Sequence, residues 1–323
     1  MHTKNCVEHE SGIEKITNTD AYKGGRIKMQ WIEMLQKAID YVEEHLLEDI
    51  HFHDVAKQLN LSPYEFYRAF SFMSGMTLNS YIRNRRLSMA GQELAETDKK
   101  IIDIAMKYGF ESQDGFTKAF TRFHGVSPKY AKTAGTQLVL FNPLAIKVSL
   151  EGGRKIDYRI EKKEKQRFLA IVRAFPTEII QEEGNNDISD FWEECHSRNM
   201  IEPIKAFQCD REGRIYGLCA PLKENETYFE YGIGVLLNSE TACVDNILLK
   251  TKEYRYWETG PCTYVVFKCI GESGECIGEA WELFYKEFLP QSGYKSCIES
   301  DYEVYFDERK DDVFCELWIP IKK

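Results

Sequence analysis

A chain of 323 residues exceeds what one typical hydrophobic core organises, so two domains are expected. With 43% hydrophobic and 29% charged residues, no apolar run near the roughly 20 residues of a membrane span, and a polar opening segment, the composition speaks against a spanning helix or a secretory leader and predicts a cytoplasmic globular protein with no membrane partner. The net charge of −10 weighs against nucleic acid until it is divided: residues 26–134 carry 15 Lys+Arg against 14 Asp+Glu, and residues 135–323 carry 24 against 34, so the acidity belongs to the second half and the first can still present a basic face.

Residues 1–28 have no apolar periodicity and are expected to form a disordered extension ahead of Met29. Trp31, Met34, Leu35, Ala38, Ile39, Val42 and Leu46 then fall on one helical face. Next comes an internal repeat of 49 to 50 residues, with DVAKQLNLSPYEFYRAFSFMSGMT from Asp54 matching DIAMKYGFESQDGFTKAFTRFHGVS from Asp103. Each copy reads as a short helix, a tight turn and a second helix. Ala56 and Ala105 let the helices approach, Asn60 and Gly109 tolerate a left-handed turn, and Leu61 and Phe110 plug the corner. Ser62 before Pro63, and Ser112, are N-cap signals for the second helices.

In those second helices Phe66, Ala69, Phe70 and Met73, and likewise Phe116, Ala119, Phe120 and Phe123, make buried stripes at helical spacing. By subtraction the outward positions are Tyr64, Tyr67, Arg68 and Ser71 in the first copy, and Gln113, Asp114, Thr117, Lys118 and Thr121 in the second. A helix from about Leu78 to Glu96 joins the copies. Two such units facing the same way would enter successive major grooves of one duplex about 34 Å apart.

The segment IIDIAMKYGFESQDGFTKAFTRFHGVSPKYAK, with Ala105, Gly109, Phe110, Ser112, Phe116, Phe120, Phe123, Gly125 and Pro128 in register, resembles the DNA-binding domain of the AraC/XylS family. The family's aromatic three residues after the final proline is Ala131 here, with Tyr130 beside it. The resemblance implies a transcription regulator that binds double-stranded DNA and works with RNA polymerase. It further implies base reading by Tyr64, Tyr67 and Arg68 in the first unit and by Gln113, Asp114, Thr117 and Lys118 in the second. Arg68 is the expected specificity residue, since a guanidinium can bond guanine through two donors. Arg83, Arg85, Arg86 and Lys129 are candidates for phosphate contacts.

After Gly135 the pattern turns strand-like, at IDYRIE, RFLAIVRAF, GRIYGLCAP, YFEYGIGVLL, ILLKTKEYRYWETG, CTYVVFKCI, YEVYF and VFCELWIPI. Helices are predicted near Ile188–Asn199 and Glu275–Leu289, so strands, helix, strands occurs twice, as in duplicated βαββ-type units. The predicted fold is therefore α+β in two domains: an all-α tandem helix-turn-helix domain over 29–134, a linker over 135–154, and an antiparallel sheet with two helices over 155–323. Both helices on one face would leave a groove at the pseudo-twofold junction, a common place for a small ligand. In CELWIPI, Glu316 and Trp318 share one strand face, and a carboxylate beside aromatic rings suits a lipophilic cation.

The stretch from Ile156 to Lys323, with FWEECHSRN, YFEYGIGV, EAWELFYKEFLPQSGY, YEVYF and CELWIPIKK, resembles the GyrI-like effector-binding domain. That likeness implies a small-molecule effector held by an acidic residue among aromatics, with Glu316 at the matching position and Trp281 lining the same cleft. Phe191, Tyr231, Trp257 and Trp318 are further candidates from their placement. Some members of the family resemble hydrolases, so an enzyme fused to a DNA reader stays open beside the ligand-responsive regulator, as does a sensor domain that binds another protein. No nucleophile, histidine and acid set supports catalysis, and no enzyme activity is expected. Nine of the ten cysteines scatter from Cys195 to Cys315 without a CxxC pair, and no cofactor or metal is expected.

Overall fold

The computed structural model describes residues 33–59, 61–146, 155–177, 186–209, 212–225, 227–237, 251, 253–307 and 312–323; the expected extension, Trp31 and Asn60 lie outside them. The first half is helical: α1 (33–44), α2 (Phe52–Gln58), α3 (Pro63–Ser74), α4 (Leu78–Glu96), α5 (Ile101–Lys107), α6 (Gln113–His124) and α7 (Pro128–Ala131). Its local order follows from capping chemistry. The hydroxyls of Ser62 and Ser112 accept from the backbone amides of Glu65 and Gly115, and α3 and α6 both end on a left-handed glycine, Gly75 and Gly125.

The two helix-turn-helix corners close alike. Leu61 donates its amide to the Ala56 carbonyl at 3.1 Å, and Phe110 donates to Ala105 at 3.0 Å. Gly109 takes φ +79° there, a left-handed conformation that favours glycine, and the tip of the Arg86 side chain lies against the position its Cβ would take. Ala56, Phe66, Tyr67, Phe70 and Tyr81 belong to the core of the first unit, and Ala105, Tyr108, Phe116 and Phe120 to that of the second.

Two of the expected phosphate contacts are spent on architecture. Arg85 forms a fork onto Glu43 at 2.8 and 2.7 Å and donates to the Phe141 carbonyl, while Arg86 donates to the carbonyls of Leu46 and Glu48. Residues 135–146, expected as linker, lie along α4: the amide of Phe141 donates to Ser88 Oγ at 3.0 Å, and that of Leu144 to the Tyr81 hydroxyl at 3.2 Å.

Among its described residues the second half is one nine-stranded antiparallel sheet: β1 (Arg159–Lys163), β2 (Gln166–Pro176), β3 (Ile215–Pro221), β4 (Tyr228–Leu236), β5 (Tyr254–Thr259), β6 (Cys262–Ile270), β7 (Lys295–Ser296), β8 (Asp301–Tyr305) and β9 (Val313–Lys322). The spatial order β1-β6-β9-β8-β3-β4-β2-β5 is symmetric about the β8/β3 pair. Each half contributes a three-strand block, β2-β4-β3 or β6-β9-β8. The short strand that leads each half, β1 or β5, crosses to the outer edge of the other half.

Strand alternation separates the two faces. On one face Leu169, Ile171, Ile233 and Val235 pack with Phe191 and Cys195 of α8 (Asp187–Ser197) and with Ile204 of the short α9 (Glu202–Lys205). Farther along the same face Val265, Phe267, Leu317 and Ile319 pack under Trp281 and Phe284, on α10 (Glu275–Leu283) and the π-helical turn Phe284–Phe288 that leads into α11 (Leu289–Ser292). The opposite face carries its own core of Phe168, Tyr216, Trp257, Tyr264, Tyr302 and Trp318.

Against the α8/α10 face the first domain docks through α3, and this overturns the outward assignment of that helix. Tyr64, Tyr67, Arg68 and Ser71 are buried, at 5%, 0%, 6% and 0% exposure. Tyr67 belongs to the helix-turn-helix core beside Phe66 and Phe70, whereas Tyr64 joins the core under α8, and Ala69 and Phe72 join the core under α10. Subtraction of one apolar stripe presumes solvent on the remaining faces. Here α3 has two buried faces, one for its own unit and one for the other domain.

Candidate effector cleft and nucleic-acid interface

β3 and β8 run side by side at the centre of the sheet, between α8 and α10, and pairing sets Gly217 opposite Glu303 and Cys219 opposite Asp301. Asp301, Glu303 and Tyr305 alternate on β8 with Tyr302 and Val304, which belong to the other face. This places two carboxylates on the helix-covered face beneath aromatic side chains, where a small cavity of about 20 Å³ is lined by Tyr64, Arg68, Trp281, Tyr285 and Asp301.

The Glu303 carboxylate accepts from the Tyr231 hydroxyl at 2.6 Å and from the Tyr305 hydroxyl at 2.8 Å, both on Oε2, while Trp192 of α8 donates to the Tyr231 hydroxyl at 3.0 Å. Burial pushes its pKa up to about 7, with the two tyrosine donors pulling the other way and Asp301 adding to the rise. Gly217 makes the arrangement possible, because a Cβ there would collide with both the Tyr231 hydroxyl and Glu303 Oε2.

Beside this group sits a cation supplied by the chain itself. Arg68 donates to Asp301 Oδ1 at 2.6 Å, reaches Oδ2 at 3.4 Å, and donates to the Tyr64 hydroxyl at 2.7 Å. Its guanidinium carbon lies 3.6 Å from the Trp281 ring centroid. Burial opposes the charge, but Asp301 holds the guanidinium protonated, above the ordinary arginine range. Phe72 stacks on Trp281 and on Tyr285, and the Tyr64 hydroxyl is 3.0 Å from Cys219 Sγ. Burial raises that thiol far above its usual value.

The effector residues expected from sequence divide between the two faces. Phe191, Tyr231 and Trp281 lie on the helix-covered face, whereas Glu316, Trp318 and Trp257 do not. Glu316 cannot share a cleft with Trp281, because it shares the parity of Trp318, opposite to that of Leu317 and Ile319. It lines a separate cavity of about 260 Å³ and is held there by Arg159 through bonds of 2.8 and 2.6 Å. Trp257 donates to Ser300 Oγ. The carboxylates at the cleft, Asp301 and Glu303, were not singled out from sequence. Their signal was the alternation in DYEVY, which sets two acids and a tyrosine on one side of a strand otherwise built for burial.

The second helix of the second unit, α6, is uncovered. Gln113, Asp114 and Lys118 are exposed and Thr117 is half-buried, while Phe116 and Phe120 anchor the far side. His124 ties the end of α6 to α4, with Nε2 3.0 Å from the Leu87 carbonyl oxygen. Among the described residues no helix is long and apolar enough to cross a membrane, and the cysteines are free thiols.

Comparison with known proteins matches residues 55–133 to the family described as helix-turn-helix domain, and residues 159–321 to the family described as integron-associated effector binding protein. The chain is 40% identical over 105 residues to the uncharacterized HTH-type transcriptional regulator YbfP of Bacillus subtilis, covering 32% of this chain and only 36% of YbfP. It is 33% identical over 113 residues to the HTH-type transcriptional activator AarP of Providencia stuartii, covering 34% of this chain and 84% of AarP. Among solved structures, SAV2435 bound to tetraphenylphosphonium is similar with a TM-score of 0.42 at 18% identity, over 52% of this chain and 94% of that one.

Proposed function

We propose a mechanism for a chain that belongs to two families at once, the AraC-type helix-turn-helix regulators through residues 55–133 and the integron-associated effector-binding proteins through residues 159–321. It is a DNA-binding regulator fused to an effector-binding domain. In our reading the effector is an aromatic or otherwise lipophilic monocation, and its seat is the cleft over Glu303 and Asp301. The observation that carries this is Arg68, a cation already lodged there against a carboxylate and an indole face. An ionised carboxylate buried among π-faces is expensive without a positive partner, so ionisation of Glu303 makes the cleft receptive to one.

Titration of the full chain with tetraphenylphosphonium tests this. We expect saturable quenching of tryptophan fluorescence, and about tenfold weaker binding in Glu303→Gln, which removes a charge from a site of low polarity. Equal affinity in the two proteins would refute the assignment. We give the cleft no catalytic role: the Cys219 thiol is kept protonated by burial, and the Glu303 carboxylate is occupied by two tyrosine donors. Release of a chemically altered compound would overturn that.

On the DNA side we propose that Gln113, Asp114, Thr117 and Lys118 of α6 meet base edges and backbone in a major groove, and that RNA polymerase is the downstream partner. Duplexes selected from a random pool by the full chain provide the test. Gln113→Ala is expected to cost about 1–3 kcal/mol at one base position, whereas Lys118→Ala should weaken all duplexes alike and lower the salt slope by about one. Unchanged selectivity in Gln113→Ala would remove that residue from the base-reading set.

A further inference from the structure

We infer that the effector cleft masks the first reader helix of its own chain, so that the structure is a one-headed, self-restrained state in which α6 can reach DNA and α3 cannot. The repeat makes the asymmetry plain. Both helices are built and capped alike, yet the face of α6 that carries Gln113, Asp114 and Lys118 is open, while the corresponding face of α3, with Tyr64 and Arg68, lies against the sheet of the second domain. A helix in a major groove must present those side chains to base edges across a groove about 12 Å wide, which leaves no room for a protein layer over the same face.

The contact is matched in charge and shape. Arg68 is the sole basic residue of α3, and its side chain and that of Asp301 are only 7% and 8% exposed. Phe72 stacks on Trp281 and Tyr285, and Tyr64 lies near Phe229 with ring centroids 6.1 Å apart. Masked and DNA-engaged α3 are therefore mutually exclusive, and whatever takes the place of Arg68 in the cleft favours the second state. That an effector cation does so rests on the cleft reading proposed above. The masking itself rests on the geometry of α3 alone.

The experiment uses the full chain with Asp301→Asn and Trp281→Ala as separate variants, and Glu316→Gln as a control that makes the same charge change on the opposite face of the sheet. Small-angle X-ray scattering reports the radius of gyration, and fluorescence anisotropy reports affinity for a random-sequence duplex over a range of salt. Both test variants should expand and bind DNA about tenfold more tightly, since one partner of a buried pair or stack is gone. Their salt slope should steepen by about one or more as α3 adds phosphate contacts. The control should match wild type.

If either test variant, folded by circular dichroism, keeps the wild-type radius, or expands without a gain in DNA affinity, the masking is wrong. Tetraphenylphosphonium added to wild type should reproduce the expansion and the gain. If it does not bind while the variants respond, the masking stands and the cation reading of the cleft falls.

Discussion

Gly217→Ala is expected to destabilise the second domain by about 2–4 kcal/mol, the sum of overpacking and of a buried polar pair driven apart. It should also abolish the tetraphenylphosphonium binding proposed for the cleft. The added methyl would sit where the Tyr231 hydroxyl meets Glu303 Oε2, and neither side chain is free to retreat. Tyr231 is fixed by the Trp192 indole, and Glu303 by a second hydroxyl, from Tyr305. Urea unfolding followed by tryptophan fluorescence measures the loss. A change under about 0.5 kcal/mol, the range of a neutral surface substitution, would mean that the cradle has slack the structure does not show. Gly109→Ala is no substitute as a probe, because its cost lies in the helix-turn-helix corner and leaves the cleft untouched.

The second large effect is pH dependence. Glu303 has its folded pKa raised from the ordinary glutamate value to about 7, so its neutral form is the one the fold favours. The sign follows directly: the stabilising contribution is complete below about pH 4.5 and is lost as pH rises through about 7, amounting to roughly 3 kcal/mol at full ionisation. Groups facing the carboxyl are Tyr231 of β4, Tyr305 and Asp301 of β8, and Arg68 of α3. The tyrosines are pushed far above their ordinary range by burial and do not titrate in this window. Wild type should therefore lose several degrees of melting temperature between pH 5 and 8 relative to Glu303→Gln. Affinity for a monocation should run the opposite way, rising up to about tenfold per pH unit until about pH 7, as the carboxylate becomes available. Parallel pH profiles for the two proteins would show that Glu303 is not the titrating group.

Much of the architecture was legible because local chemistry writes it plainly. The repeat, the caps at Ser62 and Ser112, the left-handed Gly109 and the helix Leu78–Glu96 all follow from residues within a turn or two of one another. The two helices of the second half followed from the doubled strand and helix pattern. What the pattern could not say is which parity of each strand faces the helices. Glu316 and Glu303 both stand beside aromatics on strands, and only the packing of Leu317 and Ile319 under α10 sends Glu316 to the far side. Nor does any local rule reveal that the polar edge of α3 has a partner 233 residues away, as Arg68 has in Asp301. Polar and aromatic side chains suited to a base edge are equally suited to a carboxylate and an indole, so composition alone left both destinations open.

The exchange of leading strands between the two halves of the sheet bears on how the molecule is made. β1 must wait for β6, and β2 receives its outer neighbour only when β5 arrives, so neither half closes its sheet alone and the second domain forms as one cooperative unit with distant pairings. The two cores of the helix-turn-helix units draw on residues no later than Leu144, with contacts that are mostly close in sequence. The roughly 170 residues from Ala131 to Asp301 take about 10–30 s to synthesise. Each chain thus begins its life with Arg68 uncovered and acquires its partner only after β8 leaves the ribosome.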